Sequence, residues 1–259
     1  MKPYLHLLLA MLFVIAPVSC KKDNPKKKSP AAKPEAPKVD VPDAIDMGTI
    51  VNGKTVKWAS YNLGATNFMD PGNYYSWGET EPKTAYTWDT YAHGAKSALK
   101  AYCPDTEAGK TFWDMTNKPQ GPDGNLVLFP GDDPVRAAYG GNWRMPTVDD
   151  FDALLSCMDN EEYIWGDWVL FKDEMTGDEV HCLSIIRKST GARIFLPAGG
   201  LCFDDSGSPK QVDSYAYYWS SSLYSSTPNY AWGLSFHEGS ASTITSNRCN
   251  GFTIRGVTE

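Results

Sequence analysis

Gly140-Gly141-Asn142-Trp143-Arg144-Met145-Pro146-Thr147 runs directly into Val148-Asp149-Asp150-Phe151-Asp152-Ala153-Leu154-Leu155-Ser156-Cys157-Met158, and this stretch decides the fold class. Pro146 disfavours helix at Met145, and Thr147 is placed to cap the turn that follows. Asp150, three residues on, reaches back to the cap, a variant of the capping box. Phe151, Leu154, Leu155 and Met158 fall at i, i+3, i+4 and i+7, so the spacing predicts a helix with one buried stripe. Asp149, Asp150 and Asp152 lie toward the positive end of its dipole. Just upstream, Asp133-Pro134-Val135-Arg136-Ala137-Ala138-Tyr139-Gly140 reads as a second short helix: Asp caps it, Pro opens it and Gly stops it.

Outward from these helices the pattern changes. Toward the C-terminus, strands are predicted over 168–171, 182–187, 192–196, 217–221, 231–236, 242–245 and 252–257, separated by Ser, Gly and Asn turns. Toward the N-terminus, Thr49-Ile50-Val51 and Lys54-Thr55-Val56-Lys57-Trp58 flank Asn52-Gly53, the dipeptide that supplies the positive φ of a tight hairpin. Residues 62–130 are rich in Gly, Pro, Asn, Tyr and Trp with weak periodicity, and long loops packed by aromatics are expected there. Two helices followed by many short strands indicate an α+β class.

The ends of the 259-residue chain and its charge limit what the protein does. Residues 1–19 read as an export signal: Lys2, then an apolar run from Leu5 to Val18 too short to span a bilayer. Cys20 follows at once, as the lipidated residue of a bacterial lipoprotein does, although Pro17 and Val18 depart from the usual residues before it. An ordinary secretory signal with an incidental Cys20 is the alternative. Residues 20–43, with five prolines among Lys and Ala, cannot bury a core and read as a tether; extended, such a stretch reaches ~70 Å. Residues 44–259 form the globular body. Beyond residue 40 the chain has 16 basic against 28 acidic residues, a net of −12. An acidic body lacks the basic face that phosphates require, which argues against nucleic acid.

Six fragments in order carry a resemblance: Val56-Lys57-Trp58-Ala59-Ser60-Tyr61-Asn62-Leu63-Gly64-Ala65, Tyr74-Tyr75-Ser76-Trp77-Gly78-Glu79-Thr80, Gly140 to Thr147, Phe195-Leu196-Pro197-Ala198-Gly199-Gly200, Tyr218-Trp219-Ser220-Ser221-Ser222 and Asn247-Arg248-Cys249-Asn250-Gly251-Phe252. Over about residues 44–257 the chain resembles the Fibrobacter succinogenes major paralogous domain, common in secreted and lipid-anchored proteins of Bacteroidetes. The resemblance implies a C-type-lectin-like fold with two short helices, small antiparallel sheets and long loops. The Trp143–Thr147 turn also looks like its counterpart in formylglycine-generating enzymes.

A fold does not give a function, so each site is weighed by itself. The Glu-Pro-Asn and Trp-Asn-Asp motifs of calcium-dependent sugar binding in this fold are absent; Glu81-Pro82-Lys83 is near in letters but precedes the helices. Asp204-Asp205-Ser206-Gly207 has the carboxylates of a Ca²⁺ loop but the composition of a plain turn. Five cysteines follow Cys20, and an exported body permits disulfides. Lectin-like folds often tie a helix to the last strand, which implies Cys157–Cys249; buried free thiols are the alternative. Cys249 stands alone near the C-terminus, against the thiol pair of a formylglycine-generating oxidase. Asp132-Asp133 and Glu161-Glu162 have the residue types of a glycosidase, but adjacent surface acids are ordinarily solvated.

Aromatics remain. Nine Trp and fourteen Tyr are many for this length. Trp58, Trp77, Trp143, Trp219 and Trp232 are expected in the core. Tyr215, Tyr217, Tyr218, Tyr224 and Tyr230 crowd the late strands, and Tyr224, Asn229, Tyr230 and His237 are the expected exposed ligand-binding residues. The sequence thus reads as a lipid-anchored, surface-displayed module of the outer membrane, non-enzymatic and without cofactor or metal, binding a glycan or a cell-surface protein. The alternatives are a structural subunit of a surface assembly and, behind it, an oxidase or glycosidase.

Overall fold

The Asn-Gly hairpin is present: Asn52 and Gly53 take φ of 49° and 77° between β1 (Ala44–Val51) and β2 (Lys54–Ala59), which pair antiparallel. The computed structural model describes residues 40–118, 120–172 and 177–259, all within one compact unit. The signal, Cys20 and the tether as far as residue 39 lie outside the described residues. Residues 40–43, read as the end of the tether, already touch the body: Pro42 is buried, and the Asp43 carbonyl accepts from the Ser60 N–H at 2.9 Å.

Chain order continues with the short strands β3 (Gly94–Ala95) and β4 (Ala98–Leu99), then α1 (Glu107–Phe112), α2 (Pro134–Tyr139) and α3 (Val148–Leu155). After them come β5 (Tyr163–Lys172), β6 (Glu179–Arg187), β7 (Arg193–Pro197), β8 (Tyr215–Leu223), β9 (Tyr230–His237), β10 (Ser240–Asn247) and β11 (Val257–Thr258). Few helices and mostly small antiparallel sheets make an α+β molecule. The sheets are ordered β1-β2-β11, β5-β6-β7 and β10-β9-β8, with β3-β4 as a fourth.

Among the described residues three α-helices stand where two were expected. α1 was missed because its interior holds Gly109, a residue that ordinarily weakens helices. Here the missing Cβ is required, since one would lie 1.8 Å from the Pro104 carbonyl oxygen. α3 ends earlier than its stripe predicted: Ser156 caps it, and Met158 is exposed. Its capping box is formed, with Thr147 Oγ1 accepting from the Asp150 N–H and Asp150 Oδ2 accepting from the Thr147 N–H at 2.7 Å.

α3 packs on β1 and on the β8–β10 sheet. Trp58 stacks on Phe151 at 5.8 Å in the main core, with Leu183, Leu196, Tyr218 and Phe236. A second core joins Trp77, Tyr102, Met145, Trp219 and Phe252, the last two stacked at 4.0 Å. Trp58, Trp77 and Trp219 are fully buried as expected, whereas Trp143 and Trp232 are only partly so.

The expected strand 252–257 is mostly not a strand of one sheet. Gly251 bridges Cys202, Phe252 bridges Tyr75, Thr253 bridges Tyr218 and Val257 bridges Arg144. Residues 248–257 thus form a spoke through the middle of the unit.

Candidate binding face

Alternation along β8 sends Ala216 and Tyr218 into the main core, so Tyr215 and Tyr217 point to the opposite face. Register carries that face across β9 and β10: Tyr217 opposes Ser235, which opposes Ser242, and Tyr215 opposes His237, which opposes Ser240. The Tyr215 and Tyr217 rings lie within 16° of parallel at 6.2 Å, His237 sits 5.0 Å from Tyr215, and Phe252 backs Tyr217 at 5.2 Å. The three outer rings are half-buried, and Ser240 and Ser242 are exposed. Burial raises the Tyr217 phenol above its ordinary pKa, with Tyr215 adding to the effect. Its hydroxyl donates to Gln211 Oε1 at 2.9 Å.

Gln211 belongs to a strained loop. It and Asp213 have φ of 59° and 65°, conformations that non-glycine residues seldom adopt and that concentrate at functional sites. Three contacts hold the loop in place. The Asp213 N–H donates to the Ala198 carbonyl at 2.7 Å, and its carboxylate accepts from the His181 N–H at 2.7 Å and pairs with His181 Nδ1 at 2.9 Å. The imidazole in turn lies flat on Trp168 at 5.4 Å. Val212, between the two strained residues, walls a cleft of about 450 Å³ shared with Met69, Asp70, Pro71, Glu179 and Val180. Ring platform and cleft therefore flank one loop. Among the described residues no hydroxyl or thiol bonds to the His181 ring, so the His181–Asp213 pair orients an imidazole without an attached nucleophile.

The expected ligand residues separate. His237 belongs to the ring platform. Tyr230 begins the same strand, roughly 23 Å away at the usual strand rise, and pairs with Asn247. Tyr224 packs edge-on against Trp232 at 5.2 Å. Asn229, expected exposed, is only 2% accessible, and its carbonyl accepts from the Arg248 N–H at 3.0 Å. Its turn lies inward, where that carbonyl holds the start of the spoke. In the sequence Tyr215 and Tyr217 stand among many tyrosines and are set apart only by their i, i+2 spacing on one strand, while the approach of His237 depends on register.

The Cys157–Cys249 bridge implied by the resemblance is not formed. All five described cysteines are free and buried. Cys157 lies beside Tyr163 and Arg187, whereas Cys249 lies by Asn250, Lys83 and Glu79. Asp204 accepts from the Ser206 N–H at 3.0 Å and stands 3.5 Å from Lys210 Nζ, which is turn chemistry. Asp133 is not a solvated acid; it is buried and caps α2, accepting from Val135, Arg136 and Met145. Among the described residues no three His, Cys, Asp or Glu side chains converge as a metal site requires. Comparison with known protein families, with curated proteins and with solved structures found no match to this chain.

Proposed function

We propose that this chain is a non-catalytic binding module of C-type-lectin-like fold, anchored by lipid at Cys20 and displayed from the outer membrane, which recognises a glycan through Tyr215, Tyr217 and His237. Short helices, small antiparallel sheets and the loop-rich stretch from 60 to 133 support the fold reading. The observation that carries the functional reading is the pair of near-parallel tyrosine rings on a half-open sheet face beside His237. Such rings offer flat apolar area to the C–H face of a sugar, and the serines and Gln211 beside them offer hydroxyls and an amide to its polar edge. A glycan array followed by calorimetry on the hits tests this. Tyr215→Ala and Tyr217→Ala are expected to weaken binding about tenfold or more; retention of full affinity by both overturns the reading.

A second reading, a structural subunit of a surface assembly, draws on a different observation. Leu126, Val127 and Phe129 are 46%, 46% and 52% exposed on a segment whose backbone pairs with the end of β8. Exposed apolar residues in one extended segment suit contact with another protein. Sedimentation that depends on protein concentration, and that Val127→Lys abolishes, would favour this reading.

A further inference from the structure

The turn joining β6 to β7 faces β1 across a cleft of about 410 Å³, with Asp46 on one wall and Arg187, Thr190 and Arg193 on the other. β1 is bulged between Asp46 and Thr49, where Gly48 has φ +78°. A Cβ at Gly48 would stand 2.8 Å from Cζ and Nη1 of Arg187, so the glycine leaves the guanidinium its seat.

From that seat the Arg187 guanidinium makes no hydrogen bond of ordinary length to a described residue. Its buried Nε has no hydrogen bond, and its nearest acceptor is Glu162 Oε1 in a long ion pair. The neighbouring acids stand off, Asp46 Oδ1 at 3.7 Å and Glu162 Oε1 at 3.6 Å. Both oxygens already accept closer bonds, Asp46 Oδ1 from the Gly48 N–H at 2.7 Å and Glu162 Oε1 from the Ser189 N–H at 3.1 Å. The two fully buried arginines are treated differently. Arg248 and Arg255 each donate from Nε, Nη1 and Nη2 to oxygens at 2.6–3.2 Å. The Arg187 guanidinium is thus held by two long ion pairs only, and the part of it that lines the open cleft keeps hydrogen-bonding capacity for an acceptor that arrives from outside. Arg193, at the start of β7, flanks the same cleft, and its exposed side chain has no hydrogen bond or ion pair to a described residue. Both arginines line one cleft, beside Asp46, in a body of net −12, whose field disfavours anions over most of its surface.

We propose that this cleft is a subsite for an oxyanion, a carboxylate or sulfate group of the kind carried by a uronic acid or a sulfated sugar. Guanidinium forks match such groups geometrically, two N–H donors to two oxygens. The proposal rests on different residues from the Tyr215–Tyr217 face and stands or falls apart from it.

Calorimetric titration of the purified chain with sodium glucuronate, sodium sulfate and glucose, at ionic strength held constant with chloride, tests it. Saturable binding of glucuronate or sulfate, and none of glucose, is expected. Sulfate binding alone assigns the site to the free ion, and tighter glucuronate binding assigns it to the sugar-borne group; either supports the subsite. Arg193→Gln should weaken the anion about tenfold without moving the melting temperature, because that side chain holds nothing in place. Arg187→Lys, which keeps the charge but loses the fork, should weaken it similarly. No saturable binding of either anion, or wild-type affinity in Arg193→Gln, overturns the proposal.

Discussion

Arg248 and Arg255 are wholly buried, and neither forms an ion pair with a described carboxylate. Arg248 donates to the Tyr91 hydroxyl and to the carbonyls of Ala101, Tyr102 and Pro228. Its guanidinium carbon also lies 4.8 Å from the Trp77 ring centroid and 5.3 Å from that of Tyr91. Carbonyls and ring faces together take the place of a counter-ion. Arg248→Met would leave three carbonyls and a hydroxyl without their donor, and a loss of at least ~3 kcal/mol in urea denaturation is expected. A change below ~1 kcal/mol would mean that water satisfies those groups instead. The cysteines make a second case. Burial pushes the Cys103, Cys202 and Cys249 thiols up to about 11 and Cys182 to about 12. A protonated, covered thiol is a poor nucleophile. Iodoacetamide at pH 8 should leave these four unmodified in the native protein and label them once urea unfolds it, as peptide mass spectrometry would read.

Among the elements, α3 shows how much one cap controls. Asp150 is completely buried, yet its carboxylate accepts from the Thr147 N–H and hydroxyl and pairs with Arg144 at 2.6 Å. Arg144 also reaches Glu259 at 3.4 Å, so the cap ties the helix start to the chain's last residue. Thr147→Ala removes one acceptor from the first turn and is expected to cost about 1 kcal/mol. Asp150→Ala removes the cap's carboxylate and the shortest partner of Arg144, which keeps Glu259 and the Met145 carbonyl, and should cost about 2 kcal/mol. Two glycine substitutions separate backbone strain from steric collision. A Cβ at Gly53 meets nothing, so Gly53→Ala pays only for its positive φ, about 1 kcal/mol. A Cβ at Gly109 strikes the Pro104 carbonyl, so Gly109→Ala must displace α1 and is expected to cost more. Equal melting temperatures for the two variants would contradict that distinction.

For the whole molecule, acid stability follows from named groups. Thr116 and Asn117 hold Asp114 down to about 2. Ser206 holds Asp204 below its ordinary range, Ser189 does so for Glu162, and Lys54 does so for Glu259. A carboxylate whose folded pKa is depressed stabilises the fold above its unfolded pKa and loses that contribution as pH falls through the folded one. His93 acts at higher pH. Burial lowers its pKa from 6.5, against a hydrogen bond to the Gly78 carbonyl. The unfolded chain then takes up a proton first, so this contribution is complete above pH 6.5 and declines below it. Asp133 has the opposite sign, since burial raises its pKa and acidification relieves the cost. Urea midpoints should be level from about pH 7 to 8, fall modestly below about 6.5 and fall steeply below about 4. His93→Gln should remove the upper step alone; an unchanged upper step would assign it to another group.

Local chemistry was legible in the amino-acid order: the Asn52-Gly53 turn, the Thr147 cap, the positions of most strands and the α+β class all follow from rules that act within a few residues. α1 escaped because Gly109 reads as a helix breaker until Pro104 is seen beside it. The inward turn at Asn229, the free state of Cys157 and Cys249, and the meeting of His237 with Tyr215 and Tyr217 were decided by tertiary structure. So was the spoke from 248 to 257, whose arginines bond across 157 residues to Tyr91 and across 193 to Asn62. Periodicity and capping report what a segment does with its neighbours. Which segment crosses the middle, and which rings remain at the surface, is settled only when distant parts of the chain compete for the same buried space.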